Sequence, residues 1–341
     1  MSVESTPAPQ AGPPVTLDRD RSKPLRILGL LALCGIGAEL LAAYGDSTGD
    51  PGGIAFSLLF FGALYGAPAL LARDLARRIG GGWPAMLLLF AALGVAEACL
   101  IDQALFSADY QGYEGWEETR EATLVPVLGL SAFNAYNFVV GHIVFSFGAP
   151  VALAEAWRPD KAAEPWLGPF GTVVALLAYG GAASLIISDP ESHSAGTTQL
   201  AVSAVVVAAL VIAGIVVARR AGHGTRPETG RRLPIWVTFT AALALAVAAG
   251  LAEETWGGLA VGTAAVALTG FAVLRAARLH DWTVHHAAAV ALAFLVVRGV
   301  LAFTYFPLLG DVAPGPKYLH NAVMLAIVLL AGWAALRPRP T

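Results

Sequence analysis

The chain has 341 residues, 57% of them hydrophobic and only 13% charged, with a mean hydropathy of +0.66. A soluble domain of this length needs more charge to cover its surface, so the composition excludes one. A net charge of −3, with no basic aromatic patch, excludes a nucleic-acid partner.

Residues 1–23, rich in Pro, Ser and Thr, read as a disordered cytoplasmic tail; lacking a basic start and an apolar core, they are not a signal peptide. Ten apolar runs follow, each near the roughly 20 residues that a bilayer span needs. They are predicted at 25–44, 53–75, 83–106, 125–156, 167–187, 197–218, 233–252, 256–278, 284–309 and 318–336, the fourth breaking near Pro126. The predicted fold class is all-α, a polytopic transmembrane helical bundle of about ten spans. It divides into a first four-helix unit (24–160), a linking helix pair (161–230) and a second four-helix unit (231–341). Cys34 and Cys99 lie inside apolar runs and form no CxxC pair, so neither a disulfide nor a thiolate metal site is expected.

The basic residues were not used to draw the spans, and they test them. With the N-terminus in the cytoplasm, the inner loops collect Arg73, Arg77, Arg78, Arg158, Lys161, Arg219, Arg220, Arg275 and Arg278, among others. The outer loops hold only Arg120 and Lys317, and are acidic instead through Asp109, Glu114, Glu117, Glu118 and Glu121. Both termini are therefore expected in the cytoplasm. Arginine in excess of lysine, with abundant Ala and Gly, points to a bacterial plasma membrane.

Part of the chain reads as an internal repeat. ALYGAPALLARDLARRIGGGW, ending at Trp83, matches ALTGFAVLRAARLHDW, ending at Trp282, and each unit closes on Arg-Pro (Arg158-Pro159 and Arg337-Pro338). The first four helices would then match the last four in the same orientation, a parallel repeat of the kind found in transporters.

Ionisable groups in hydrocarbon cost about 2.5–3.5 kcal/mol each on insertion scales, so each needs a reason. Glu39, Glu97, Asp102 and His142 fall at similar depths, roughly 6–15 Å below the outer surface at a rise of about 1.5 Å per residue. Together they are candidates to line one outward-facing ligand pocket. Arg298, inside the ninth predicted span, is counted with them as a ligand-binding candidate and is expected to pair with Glu97 across the interface between the units. Asn134, Asn137 and Ser146 add polar groups near His142, and His320-Asn321 could join the pocket. Glu155, beside Arg158 at the cytoplasmic end, reads as a surface residue, and Gly62-x-x-x-Gly66 as a close-packing motif before a kink at Pro68.

Through ALLARDLARRIGGGWP, EACLIDQALF, GHIVFSFGAPVALAEAWRP and EPWLG, the stretch from Tyr65 to Gly168 resembles a family of uncharacterised multi-spanning bacterial membrane proteins. That likeness implies no activity. Phe138-x-x-x-His142 also resembles one motif of the CAAX-processing and bacteriocin-processing intramembrane proteases. By that likeness Glu97 stands for the second Glu of their Glu-Glu-x-x-x-Arg motif and His320-Asn321 for their last one. Ala96 replaces the first Glu, no Arg follows at the required spacing, and His320 lies far along the chain.

Three functions are expected from these residues. The first is transport or binding of a small molecule or ion through the polar pocket. The second is hydrolysis, with Glu97 as base and His142 steadying an oxyanion. The third is a structural membrane subunit without chemistry. No P-loop, dinucleotide fingerprint, HExxH or CxxCH motif occurs, so no cofactor and no metal are expected. The one certain partner is the lipid bilayer; composition and spacing leave the oligomeric state open.

Overall fold

Proline and small polar residues set where the helices begin. Pro51, Pro84, Pro169 and Pro314 stand in the first turns of four long helices, where a fixed φ helps and a missing N–H costs nothing. Asp50 accepts from the Gly53 N–H at 2.6 Å at the Pro51 end, and Thr255 from the Gly258 N–H at 3.0 Å at a fifth helix start. The structure, a computed structural model, describes residues 22–42, 47–110, 112–220, 233–306 and 310–337. Most of the predicted N-terminal tail and the end of the linking segment lie outside the described residues.

Ten long helical segments succeed one another. They are α1 (Lys23–Gly35, continued by a π-helical turn Ile36–Leu40), α2 (Pro51–Arg78), α3 (Trp83–Ile101), α4 (Ala132–Ala156) and α5 (Pro169–Ile187). Then come α6 (Thr197–Arg220), α7 (Ile235–Gly250), α8 (Trp256–Leu279), α9 (Val284–Leu301) and α10 (Pro314–Leu336). Eight of them, all but α1 and α7, are long and apolar enough to cross a bilayer. The protein is an all-α, polytopic membrane bundle. The only sheet among the described residues is a hairpin of β1 (Leu124–Val125) and β2 (Leu130–Ser131) in the α3–α4 connection.

Burial separates centre from rim. About half of the most apolar stretch is buried in α2, α3, α4 and α9, against 11% in α6 and 17% in α5 and α8. The outward faces of those three helices are apolar, which suits hydrocarbon as the surrounding solvent. α4 is central, packing on α1, α3, α9 and α10. One core gathers Leu30, Leu64, Phe90, Phe147 and Trp166; a second, between α1, α4, α9 and α10, gathers Leu40, Leu153, Leu292 and Val328. In the first quartet α1 packs on α2 and α4, and α3 on α2 and α4. In the last quartet α7 packs along α8 and α9, and α9 on α10. The two segments that look alike in sequence thus pair their helices differently.

Three expected boundaries move. Residues 125–131 are not helix: the hairpin occupies them, and α4 starts where Ser131 accepts from the Asn134 N–H at 3.2 Å. α3 ends at Ile101, because Gln103 adopts φ +56°, the left-handed region that stops a helix. Gln103 then accepts from the Ala195 N–H through its side chain at 2.9 Å. α9 stops at Leu301, eight residues before its predicted end at 309. There Lys317 Nζ (2.7 Å) and Asn321 Nδ2 (2.8 Å) both donate to the freed Ala302 carbonyl.

The arginine-rich end carries a further correction. Glu155 is fully buried, not a surface residue. Its carboxylate accepts from Arg73 Nε at 2.9 Å and from Arg77 Nη2 at 2.9 Å to each oxygen. Arg73 also donates to Asp74 (2.9 Å) and to the Ala162 carbonyl (2.6 Å), and lies 3.7 Å above the Trp166 ring. Asp74 accepts the backbone N–H groups of Trp166 and Leu167. Every charge in this group has an opposite charge or a carbonyl beside it, the condition for keeping ions out of water.

Candidate functional site

Each of the first four helices contains π-helical turns, and among the described residues none of α5–α10 does. A π turn widens the helix by one residue and is frequent at functional sites. Every one of these helices places an expected polar group, or a tyrosine, in such a turn. Glu39 lies in Ile36–Leu40, Tyr65 in Gly62–Gly66, Glu97 at the start of Glu97–Ile101, and His142 at the start of His142–Gly148. Pro68 and Pro150 come just after two of these turns; each lacks an N–H and so leaves a carbonyl of the preceding turn without its usual donor.

Small residues let the four turns meet. A Cβ on Gly66 would stand 2.7 Å from Leu31 Cα, so α2 closes on α1 at the Gly62-x-x-x-Gly66 motif. A Cβ on Gly94 would stand 3.0 Å from the Val139 carbonyl and 3.4 Å from His142 Cβ, so α3 closes on α4 one turn before Glu97. Gly37 likewise faces the Phe145 carbonyl.

The polar groups then form two separate sets of contacts, with Glu97 in neither. Tyr65 donates its hydroxyl to Glu39 Oε1 at 2.7 Å, and its ring lies 5.3 Å from that of His142. His142 Nδ1 and Ser146 Oγ share a hydrogen bond of 2.9 Å, one turn apart on α4. The Tyr110 hydroxyl is 3.5 Å from Asp102 Oδ2. Glu97 is 4% exposed, and no hydrogen bond or ion pair holds it among the described residues. The charges its carboxylate feels are those of Asp102 and Glu39, both of its own sign. Glu39, Asp102, His142 and Arg298 all keep some accessible surface, Asn137 is exposed, and Gly141 has open space where a side chain would stand. Among the described residues no three His, Cys, Asp or Glu side chains converge to hold a metal ion.

Tyr65 thus stands between Glu39 and His142, and the charges of Asp102 and Glu39 act on Glu97. The expected Glu97–Arg298 pair is not formed. Arg298 donates from Nη2 to the Ala38 carbonyl at 2.7 Å and stacks over Phe145 at 4.6 Å. It lies in the last turn of α9, where a cation suits the negative end of the helix. His320 Nε2 pairs with the Leu40 carbonyl at 2.8 Å, and Asn321 with that of Ala302, so both serve helix ends rather than the pocket. Tyr65 and Tyr110 were not anticipated from sequence. The one signal for Tyr65 was its place between two glycines, Gly62 and Gly66, on a helix facing Glu39.

A family model described as an uncharacterized membrane protein family matches residues 38–337. Comparison with curated proteins and with solved structures finds no match. The matched region runs from the end of α1 through α10 and takes in every residue of the polar cluster; the chain belongs to this family of uncharacterized membrane proteins.

Proposed function

We propose that the chain binds a small polar solute in a chamber lined by Glu39, Glu97, Asp102 and His142, and exchanges a proton or cation as the solute moves. Glu97 carries this reading: a carboxyl group almost fully buried, without a partner among the described residues, in the field of two further carboxylates. An ionised group so placed costs several kcal/mol, on the order of the penalty for an uncompensated buried charge. A group kept at that cost is suited to taking up a proton or a cationic ligand. Tyr65, Tyr110 and Asn137 offer hydrogen bonds to a polar solute. Acidic loops at the same end, with Asp109, Glu114, Glu117 and Glu118, would concentrate cations near the opening. The arginine distribution supports cytoplasmic termini and a chamber opening outward from a bacterial plasma membrane.

The hydrolase alternative uses Glu97 as base and His142 as oxyanion donor, and has less support. Ala96 stands where a second carboxylate is wanted, and His320 and Asn321 are engaged with backbone carbonyls.

The test is thiol accessibility in a variant lacking Cys34 and Cys99. Glu97→Cys, Asp102→Cys, His142→Cys and Arg298→Cys are made singly, and intact cells are treated with a membrane-impermeant reagent. Labelling at 97 and 142 supports a water-filled chamber. Protection of all four positions in a folded protein overturns it and leaves a structural subunit as the better reading.

A further inference from the structure

The outer flank of α4 carries a second feature, apart from the chamber. α8 packs along α7 and meets α4 near Tyr136, whose hydroxyl fits against Gly262. Beside that contact the two helices leave a groove of about 480 Å³, lined by Ala135, Tyr136, Val139 and Val140 of α4 and by Val266 and Ala267 of α8, among others. That volume falls within the range of ligand pockets, roughly 300–1,000 Å³. No charged side chain lines it. α8 is among the least buried of the long helices, so the groove opens sideways towards hydrocarbon. A groove of this size and lining has room for an acyl chain.

A cation belongs to the same apolar neighbourhood. Val266, on the groove, and Phe145, under the Arg298 guanidinium, both pack on the cluster of Ala246, Phe294 and Val297. Arg298 lies one residue beyond Val297, in the last turn of α9. It has one neutral hydrogen-bond partner, the Ala38 carbonyl, and its buried Nε has none. No carboxylate pairs with it among the described residues. A planar guanidinium with donors to spare is well matched to phosphate. The exposed Asn137 and the open space at Gly141 lie on the adjoining strip of α4.

We propose that this face binds an anionic phospholipid from the leaflet at the acidic end, its phosphate on Arg298 and one acyl chain in the α4–α8 groove. The apolar groove has no use for a soluble phosphate and suits an acyl chain, which favours a ligand delivered from within the bilayer. Basic sites between helix ends recognise lipid headgroups by this same chemistry. The lipid site needs only the groove and Arg298, and stands whether or not the chamber carries a solute.

The experiment places a fluorophore in the groove and quenches it from a lipid chain. In a Cys34→Ser, Cys99→Ser background, Val140→Cys is labelled with bimane. The protein is reconstituted in phosphatidylcholine vesicles containing brominated phosphatidylglycerol or brominated phosphatidylcholine. Half-quenching is expected at about a fivefold lower mole fraction of phosphatidylglycerol, the factor for one cation near a membrane surface. Arg298→Gln should abolish that preference. Ala267→Phe, which fills the groove and leaves Arg298 untouched, should abolish it too, and keeps the test decisive if Arg298→Gln fails to fold. Equal quenching by the two lipids in the parent protein would mean a merely annular contact and overturn the proposal. So would a preference that survives Ala267→Phe in folded protein.

Discussion

Arg298 of α9 donates to the carbonyl of Ala38 on α1 at 2.7 Å, joining two helices across 260 residues of chain. Ala38 lies in the π turn that ends α1, where carbonyls lack an intrahelical donor. His320 of α10 serves the Leu40 carbonyl in the same way. The first helix is therefore closed by side chains from the last two, and the intramembrane arginine is used as a helix cap.

This arrangement makes Glu97 and Arg298 energetically independent. Arg298→Met is expected to lower stability by about 2 kcal/mol through loss of a charge-assisted cap. Glu97→Gln, which removes a charge that has no partner, should leave stability unchanged or raise it. Thermal unfolding of both single variants and the double variant in detergent checks this. The effects should add within about 0.5 kcal/mol, and a coupling above about 1 kcal/mol would show that the two residues pair.

At the arginine-rich end, Glu155→Ala should cost about 3–5 kcal/mol, because it removes the buried carboxylate that pairs with both Arg73 and Arg77. Trp166→Leu should cost less through the cation–π contact itself, about 1–2 kcal/mol, plus whatever packing is lost. Unfolding temperature and yield of monodisperse protein are the readouts. A neutral Glu155→Ala would return that residue to the surface.

Glycines divide sharply by what faces them. Gly66→Ala puts a methyl group 2.7 Å from Leu31 Cα and should cost about 1–3 kcal/mol. Gly181→Ala on α5 meets nothing within 4 Å and should gain about 0.5–1 kcal/mol from helix propensity. Measured by unfolding in one detergent, the two substitutions should shift stability in opposite directions.

Gln103 combines a left-handed backbone with a side-chain bond to the Ala195 N–H. Gln103→Ala loses the bond and keeps the strain. Gln103→Gly loses the bond but relieves the strain, by about 1–2 kcal/mol. The glycine variant should therefore be the more stable of the two, and the reverse order would show that α3 does not end in that turn.

Much of the fold was legible because hydrocarbon imposes a simple rule: a spanning segment must be long, apolar and helical. All ten predicted segments appear as helices in chain order, with shifted ends. The helices that carry Glu39, Glu97, Asp102 and His142 were readable too, since each residue falls within an apolar run. Direction around the helix was not. Each π turn adds a residue and rotates the rest of its helix, so the angle between Glu97 and Asp102 cannot be counted off in steps of an α-helix.

The class of protein and its segments were readable from the chain alone. They depend on local composition and on the solvent a segment tolerates. The partners were not readable in that way: Arg298 with Ala38 rather than Glu97, Glu155 with Arg73 and Arg77 rather than water, Tyr65 with Glu39. Each of the three joins residues 26 or more apart in sequence, and the choice among them is made by the packing of helices on helices. Small residues such as Gly37, Gly66 and Gly94 set that packing, and their meaning emerges only when the opposing backbone is in place.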